Sequence, residues 1–263
     1  MRSLARIAGL VGLGFWMASS AQASDIKEVH RTVPLDPDGR LEIRTYKGSV
    51  TVKTGSAPEV QISARIEPDG NSRWETEKVE ETEIRISGGG GSVEVKSDYH
   101  EVRHHHFLGL FGDYDGSLPL VHYTIVMPST ARLEIEDYKS ETRVSDLKGD
   151  LKLHTYKGSL NATGLEGAAR VHTYKGDIRV DFARFVRASR FETHRGSFDV
   201  GLPRDSRFDL DADMGRRGEL DSDFAITMRT MRSSREEMRG AVNGGGPELR
   251  VSAYRGSLHL RGL

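Results

Sequence analysis

Between Asp137 and Asp181 the chain reads DYKSETRVS DLKGDLKLH TYKGSLNAT GLEGAARVH TYKGDIRVD, five blocks of nine residues. The second place of each block is Tyr or Leu in strict alternation (Tyr138, Leu147, Tyr156, Leu165, Tyr174). The third is Lys or Glu, and the fourth is Gly in all but Ser140. The sixth and eighth places are mostly apolar, as in Leu151 and Leu153, Leu160 and Ala162, or Ile178 and Val180, with Lys152, Asn161 and Arg179 between them. Apolar residues at every second position mark a strand with one buried face. Tyr-Lys-Gly-Ser is turn chemistry, because glycine in the third place supplies the positive φ of a type II or I′ turn. Each block is therefore a short strand followed by a tight corner.

Since Tyr and Leu alternate, the full period is two blocks, or 18 residues. An antiparallel meander and a parallel solenoid with two strands per coil both have this period. A meander leaves the side chain at every second turn free to vary. A solenoid stacks equivalent residues of successive coils about 4.8 Å apart and favours identical side chains in columns. Columns are what the sequence holds, so the expected fold is all-β, a parallel β-solenoid of the β-helix kind with about 18 residues per coil. The same corner returns at wider spacing in TYKGSVTV (Thr45 to Val52), THRGSFDV (Thr193 to Val200), GRRGELDS (Gly215 to Ser222) and AYRGSLHL (Ala253 to Leu260). Residues 24 to 125 carry longer alternating stretches, which either continue the same sheets or form a small β-sandwich. The glycine runs Gly88 to Gly91 and Gly244 to Gly246 read as turns between strands, and Met228 to Met238 as an excursion between strands.

Composition agrees with this pattern. The 263 residues include 29 Gly, and only 36 % are hydrophobic, so turn formers have displaced bulky core residues. There is no cysteine, which excludes disulfides, thiolate chemistry and a lipid-modified N-terminal cysteine. With 38 basic and 39 acidic residues the net charge is −1, which argues against a general nucleic-acid binder. Residues 1 to 23 read as a secretory leader: Arg2 and Arg6, an apolar run from Ile7 to Met17, then Ala21-Gln22-Ala23 as a small-x-small cleavage site. The alternative is an uncut anchor, but that run is far short of the roughly 20 residues a membrane span requires. Residues 24 to 263 are expected to form one β-strand-repeat domain, exported to the periplasm or the cell surface.

Three segments carry a family resemblance: HYTIVMPSTARLEI (His122 to Ile135), GELDSDFAI (Gly218 to Ile226) and GAVNGGGPELRVSAYRGSLHLRG (Gly240 to Gly262). A strand ending in Met-Pro, a string of short repeats, a Ser-Asp-Phe motif and Asn-Gly-Gly-Gly before the last repeat resemble the bacterial putative-adhesin domain family of exported β-strand-repeat proteins. The chain departs from that pattern in using Lys-Gly and Arg-Gly corners, and in an insertion at about residues 99 to 119. The resemblance implies an envelope-located repeat protein without catalytic residues to carry over.

Several constellations are candidates for function. Lys47, Lys139, Lys157, Lys175, Arg195, Arg217 and Arg255 occupy one corner place, and stacking would align them as a basic column. Like charges about 5 Å apart in water repel by somewhat under 1 kcal/mol per pair, and an anionic envelope polymer or protein laid along the column would relieve that. The competing reading makes them solvated turn residues partnered by Glu141, Asp177 and Glu219. The tyrosine column is read as structural, with sugar binding as the alternative. His154 and His172 are expected as outward neighbours. His100, His104, His105 and His106, followed by Asp113, Asp115 and His122, are candidate transition-metal ligands; no other cofactor is expected. Phe107 to Phe111 is a candidate interaction or peripheral membrane-contact tip. No Gly-x-Ser-x-Gly, His-Glu-x-x-His or phosphate-cradling glycine loop occurs, so the reading is non-enzymatic. Behind a polymer- or partner-binding envelope protein stand a self-associating scaffold and a polysaccharide-active β-helix enzyme.

Overall fold

The computed structural model describes residues 26–70, 73–102, 117–215, 218–231 and 237–263. The leader, His104 to His106, the Phe107 to Phe111 tip and Arg217 lie outside them. The protein is all-β, with one short helix among the described residues. In chain order its elements are β1 (Lys27–Arg44), β2 (Lys47–Gly55), β3 (Glu59–Glu67), α1 (Arg73–Glu81), β4 (Glu83–Asp98) and β5 (Leu120–Pro128). The repeat supplies β6 (Arg132–Asp137), β7 (Lys139–Ser145), β8 (Leu151–Thr155), β9 (Ser159–Leu165), β10 (Ala169–Lys175) and β11 (Ile178–Phe182). After it come β12 (Ser189–Arg195), β13 (Phe198–Leu202), β14 (Phe208–Asp213), β15 (Glu219–Ser222), β16 (Ile226–Met231), β17 (Glu237–Val242), β18 (Glu248–Arg255) and β19 (Ser257–Gly262).

Within the repeat the chain passes back and forth between two parallel ladders. One joins β6, β8, β10 and β12 and the other joins β7, β9, β11 and β13. Leu133 faces Leu151, which faces Ala169, and on the opposite ladder Thr142, Leu160 and Ile178 align in the same way. Alternation decides which side chains turn inward. In β8, Leu151, Leu153 and Thr155 are buried while Lys152 and His154 face out. The inward residues of both ladders meet in one core that runs on through Phe191, Phe198, Val200, Leu249, Val251, Leu258 and Leu260.

Corners are tied from one unit to the next by main-chain bonds. Lys139 N donates to Tyr46 O at 2.8 Å, Lys157 N to Tyr138 O at 2.8 Å and Lys175 N to Tyr156 O at 3.0 Å. The positive φ of a type II or I′ turn, expected of these glycines, is absent at Gly158, and Gly176 and Gly196 sit at 158° and 155°, far from the roughly +80° of a type II turn; close approach is their reason instead. A Cβ on Gly176 would stand 1.8 Å from the Gly158 carbonyl oxygen, and one on Gly196 would stand 1.9 Å from that of Gly176. Neighbouring backbones pass too close at this place for any side chain.

Away from the repeat, strand order departs from sequence order. The first pair, β1 and β2, lies between β4 and β5 on one side and β6 and β7 on the other. The last pair, β18 and β19, lies between β12 and β13 on one side and β14 and β15 on the other. Each is thus bonded along both edges. Arg261 in β19 adds side-chain bonds to Asp199 and Asp181, which, with burial opposing, raise its pKa.

The described residues of the stretch 24 to 125 continue the same sheets rather than forming a separate sandwich. Arg40 to Arg44 and Lys47 to Val52 extend the two parallel ladders, while β3 pairs antiparallel with both β1 and β5. Gly88 to Gly91, within the span of β4, turns the chain back on itself as expected: a Cβ on Gly88 would stand 2.2 Å from the Ser92 carbonyl oxygen, and Arg85 Nε lies 2.8 Å from Asp98 Oδ2. Gly244 to Gly246 does connect two strands, β17 and β18. The excursion at Met228 to Met238 falls on an antiparallel pair, β16 and β17. Helix α1 carried no periodic signal, because only Val79 and the stem of Lys78 are buried and Trp74 stays exposed. Lys27 Nζ caps its end, donating to Glu80 O at 2.8 Å and Thr82 O at 3.0 Å. No helix among the described residues is long and apolar enough to cross a membrane.

Candidate functional site: a charged and aromatic corner

The tyrosine corner forms a continuous ladder of rings. Tyr46 stacks on Tyr138 with centroids 4.8 Å apart, Tyr138 on Tyr156 at 5.0 Å and Tyr156 on Tyr174 at 4.9 Å. His194 stacks on Tyr174 at 4.8 Å and on Tyr254 at 4.8 Å. Interplanar angles between 2° and 17° make these parallel stacks. Tyr99 closes one end edge-on at 6.4 Å and 72°. Each stacked pair is worth about 0.5–1.5 kcal/mol. Because ring faces are spent on neighbours, the corner offers solvent mainly edges and phenol groups. Saccharides bind aromatic faces, so this geometry weighs against the sugar-stacking alternative for the ladder by itself.

Beside the rings runs the basic column. Lys47 faces Lys139, and Lys175 faces Arg195, which faces Arg255. Lys157 takes the intervening place through the corner bonds described above. Lys139, Lys157, Lys175, Arg195 and Arg255 are exposed. No carboxylate among the described residues forms an ion pair with any of these five. The partners expected for them are engaged elsewhere: Glu141 accepts from Arg143 at 2.9 Å, and Asp177 accepts from Ser197 N at 2.9 Å and Ser197 Oγ at 2.7 Å. Lys157 Nζ instead lies 5.4 Å from the Tyr156 ring centroid, and the Arg255 guanidinium 5.8 Å from that of Tyr254.

Lys47 departs from the column's pattern. It is half-buried, bonded to Asp69 and 3.1 Å from Ser117 Oγ. Burial would raise the Asp69 carboxyl, but bonds from Lys47 and Ser117 and the charges of Lys47 and Lys139 outweigh it and hold its pKa low. Sequence separation hid this pair, since nothing local links residue 47 to residue 69.

A groove of about 600 Å³ follows the column, lined by Lys47, Lys139, Lys157, Ser49, Ser159 and His122 among others. In it Ser49 Oγ lies 2.8 Å from His122 Nδ1, and His122 Nε2 lies 3.0 Å from Glu67 Oε1. A carboxylate only accepts, so Nε2 carries the proton and Nδ1 takes the hydroxyl hydrogen. The order matches a hydrolytic triad, yet the three residues sit on adjacent strands of an open face. The strand β2 that holds Ser49 is laddered on both edges, to β5 and β7.

Asp137 closes β6 just before the corner. Its Oδ1 accepts from Thr155 Oγ1 at 2.6 Å and Ser140 N at 3.1 Å, and its other oxygen is buried without a partner. Burial pushes this carboxyl up to about 6, against the lowering effect of Thr155 and Ser140.

The histidine expectations divide. His154 and His172 are outward neighbours with ring centroids 4.9 Å apart, flanked in register by Glu136 and Glu192, and His172 Nδ1 lies 3.4 Å from Glu192. His100 lines a separate groove of about 370 Å³ with Tyr46, Lys96 and Tyr99, and its N–H donates to Asp98 Oδ1 at 3.0 Å. Among the described residues no group of three or more His, Asp or Glu is placed to hold a metal ion.

No protein-family model matches the chain, and no curated protein matches it. Several solved structures are similar to it. One is a putative cell adhesion protein from Clostridium sporogenes, 12 % identical, covering 90 % of this chain and 100 % of its own at a TM-score of 0.49. Another is a putative adhesin from Bacteroides fragilis, 10 % identical, covering 90 % and 97 % at a TM-score of 0.44. A third is a putative adhesin from Parabacteroides distasonis, 9 % identical, covering 89 % and 97 % at a TM-score of 0.31. These neighbours carry the family description that the sequence motifs resemble.

Proposed function

We propose that this protein is a non-enzymatic, adhesin-like component of the bacterial envelope, exported to the periplasm or cell surface, that binds an extended anionic polymer along its basic corner. In this reading the alternation between ladders is a parallel β-solenoid of about 18 residues per coil, with one cation per coil in single file. The observation that carries the proposal is the set Lys139, Lys157, Lys175, Arg195 and Arg255, in register, exposed and in no ion pair among the described residues, with Lys139 alone near enough to Asp69 to feel its charge. Such a file is held together against its own repulsion, and a polyanion laid along it removes that repulsion and releases counterions. The leader-like residues 1 to 23 support export. The test is binding to lipopolysaccharide and to a soluble anionic glycan at low and high salt. Binding should fall steeply with salt and weaken when Lys139, Lys157 and Lys175 all become Gln. Salt-insensitive binding, or binding indifferent to those changes, overturns the proposal.

A further inference from the structure

On the outer face of the ladder that joins β6, β8, β10 and β12, one row across four strands reads Glu136, His154, His172 and Glu192. Both imidazoles are exposed, and neither histidine belongs to the basic column. Their ring centroids are 4.9 Å apart. The planes of the aromatic ladder differ by only 2° to 17°, whereas this pair is tilted by 41°, so its rings converge on one side instead of lying parallel. Glu192 fixes one of the two rings. Arg190 Nε donates to Glu192 Oε1 at 2.6 Å, and Glu192 Oε2 lies 3.4 Å from His172 Nδ1. Burial would raise this carboxyl, but the bonds from Arg190 and His172 outweigh it and hold its pKa low. An ionised carboxylate only accepts, so Nδ1 of His172 carries the proton and Nε2 keeps its lone pair. A carboxylate behind an imidazole is how histidine ligands are oriented in metal sites. Glu136, with Arg44 Nε 3.6 Å from its Oε2, stands in the equivalent place beside His154.

We infer that His154 and His172 form a two-histidine chelate for a divalent transition metal of the copper, nickel and zinc group, with Glu192 as the residue that positions His172. Two nitrogens bound to one such ion at about 2.0–2.1 Å lie about 3 Å apart. Rings with centroids at 4.9 Å bring their nitrogens that close when these turn toward each other. Imidazole donors select this group over magnesium and calcium, which take oxygen ligands, and within it copper binds most tightly. No third His, Asp or Glu among the described residues is placed to complete the site. Water therefore fills the remaining positions, and the ion is held exchangeably at the surface. The site goes beyond polymer binding and stands whether or not the basic column takes a polyanion.

The experiment is calorimetric titration with the chlorides of copper(II), nickel(II), zinc(II) and magnesium. The protein carries Ala at positions 104, 105 and 106, so that the other histidine cluster contributes nothing. Copper should bind, nickel and zinc more weakly, and magnesium not at all. His154→Ala and His172→Ala each remove half of the chelate and should lower copper affinity more than tenfold. Glu192→Gln, which leaves both ligands in place, should lower it by about tenfold. Electron paramagnetic resonance of the copper-loaded protein should show two equatorial nitrogens, falling to one in either histidine variant. Circular dichroism checks that the variants fold. Copper affinity unchanged in any of the three variants, magnesium binding as tight as copper binding, or a spectrum without the second nitrogen would overturn the assignment.

Discussion

Each 18-residue unit of the repeat has two corners built from nearly the same letters, and they do opposite work. At one, Tyr138, Tyr156 and Tyr174 stack outside the core and carry the lysines. At the other, Leu147 and Leu165 are fully buried, and Phe182 takes the next place in register with Leu165. Both corners use the same linkage between units: Glu166 N donates to Leu147 O at 3.0 Å, as Lys157 N donates to Tyr138 O at 2.8 Å. The backbone is thus common, and the side chain in the second place decides whether a corner seals the core or offers a surface. An amphipathic ring can remain at a wet edge where leucine would lose its hydrophobic stabilisation.

This contrast can be broken at either corner. The largest effect is expected where both kinds of residue depend on the shared backbone. Gly176→Val forces a side chain against the Gly158 carbonyl and should cost at least about 3 kcal/mol in denaturant unfolding; an unchanged midpoint would show that the backbones do not approach so closely. At the inner corner, Leu165→Ala should cost about 2–5 kcal/mol through cavity formation and leave polymer affinity unchanged in the same preparation, a result that separates sealing from binding.

Asp137 sharpens the comparison through pH. With a folded pKa of about 6 against about 3.9 unfolded, the folded chain holds this proton more tightly than the unfolded one. Stability should therefore decline as pH rises from about 4 to about 6 and level off above. Asp137→Asn should abolish that slope, worth about 2 kcal/mol, in denaturation curves taken across this range. A smaller loss is expected at the outer corner. Tyr156→Ala removes two stacked contacts and should cost about 1–2 kcal/mol, less than the leucine change, with the order of the two read from thermal midpoints.

The repeat was legible because its information is local. Residues 138, 156 and 174 are equivalent by spacing alone, and the apolar alternation in LKLH or DIRVD states which face is buried. What escaped the sequence depends on partners that are distant along the chain. That β1 and β2 slot between β4 to β5 and β6 to β7 cannot be read from period, since every strand presents similar edge chemistry and any could pair with any. The ion pair of Lys47 with Asp69, which removes one cation from the free file, and the Ser49, His122 and Glu67 chain arise from that same rearrangement.

By itself the sequence determined an all-β chain with periodic corners, a column of aromatic residues and a column of cations, because side-chain alternation and glycine placement are local rules. Tertiary structure decided which strands are neighbours and therefore which cations remain without a carboxylate. It also decided that ring faces are consumed in stacking while ring edges stay open. Charge neutralisation and stacking depend on distances across strands, and those are set only when the ladders close.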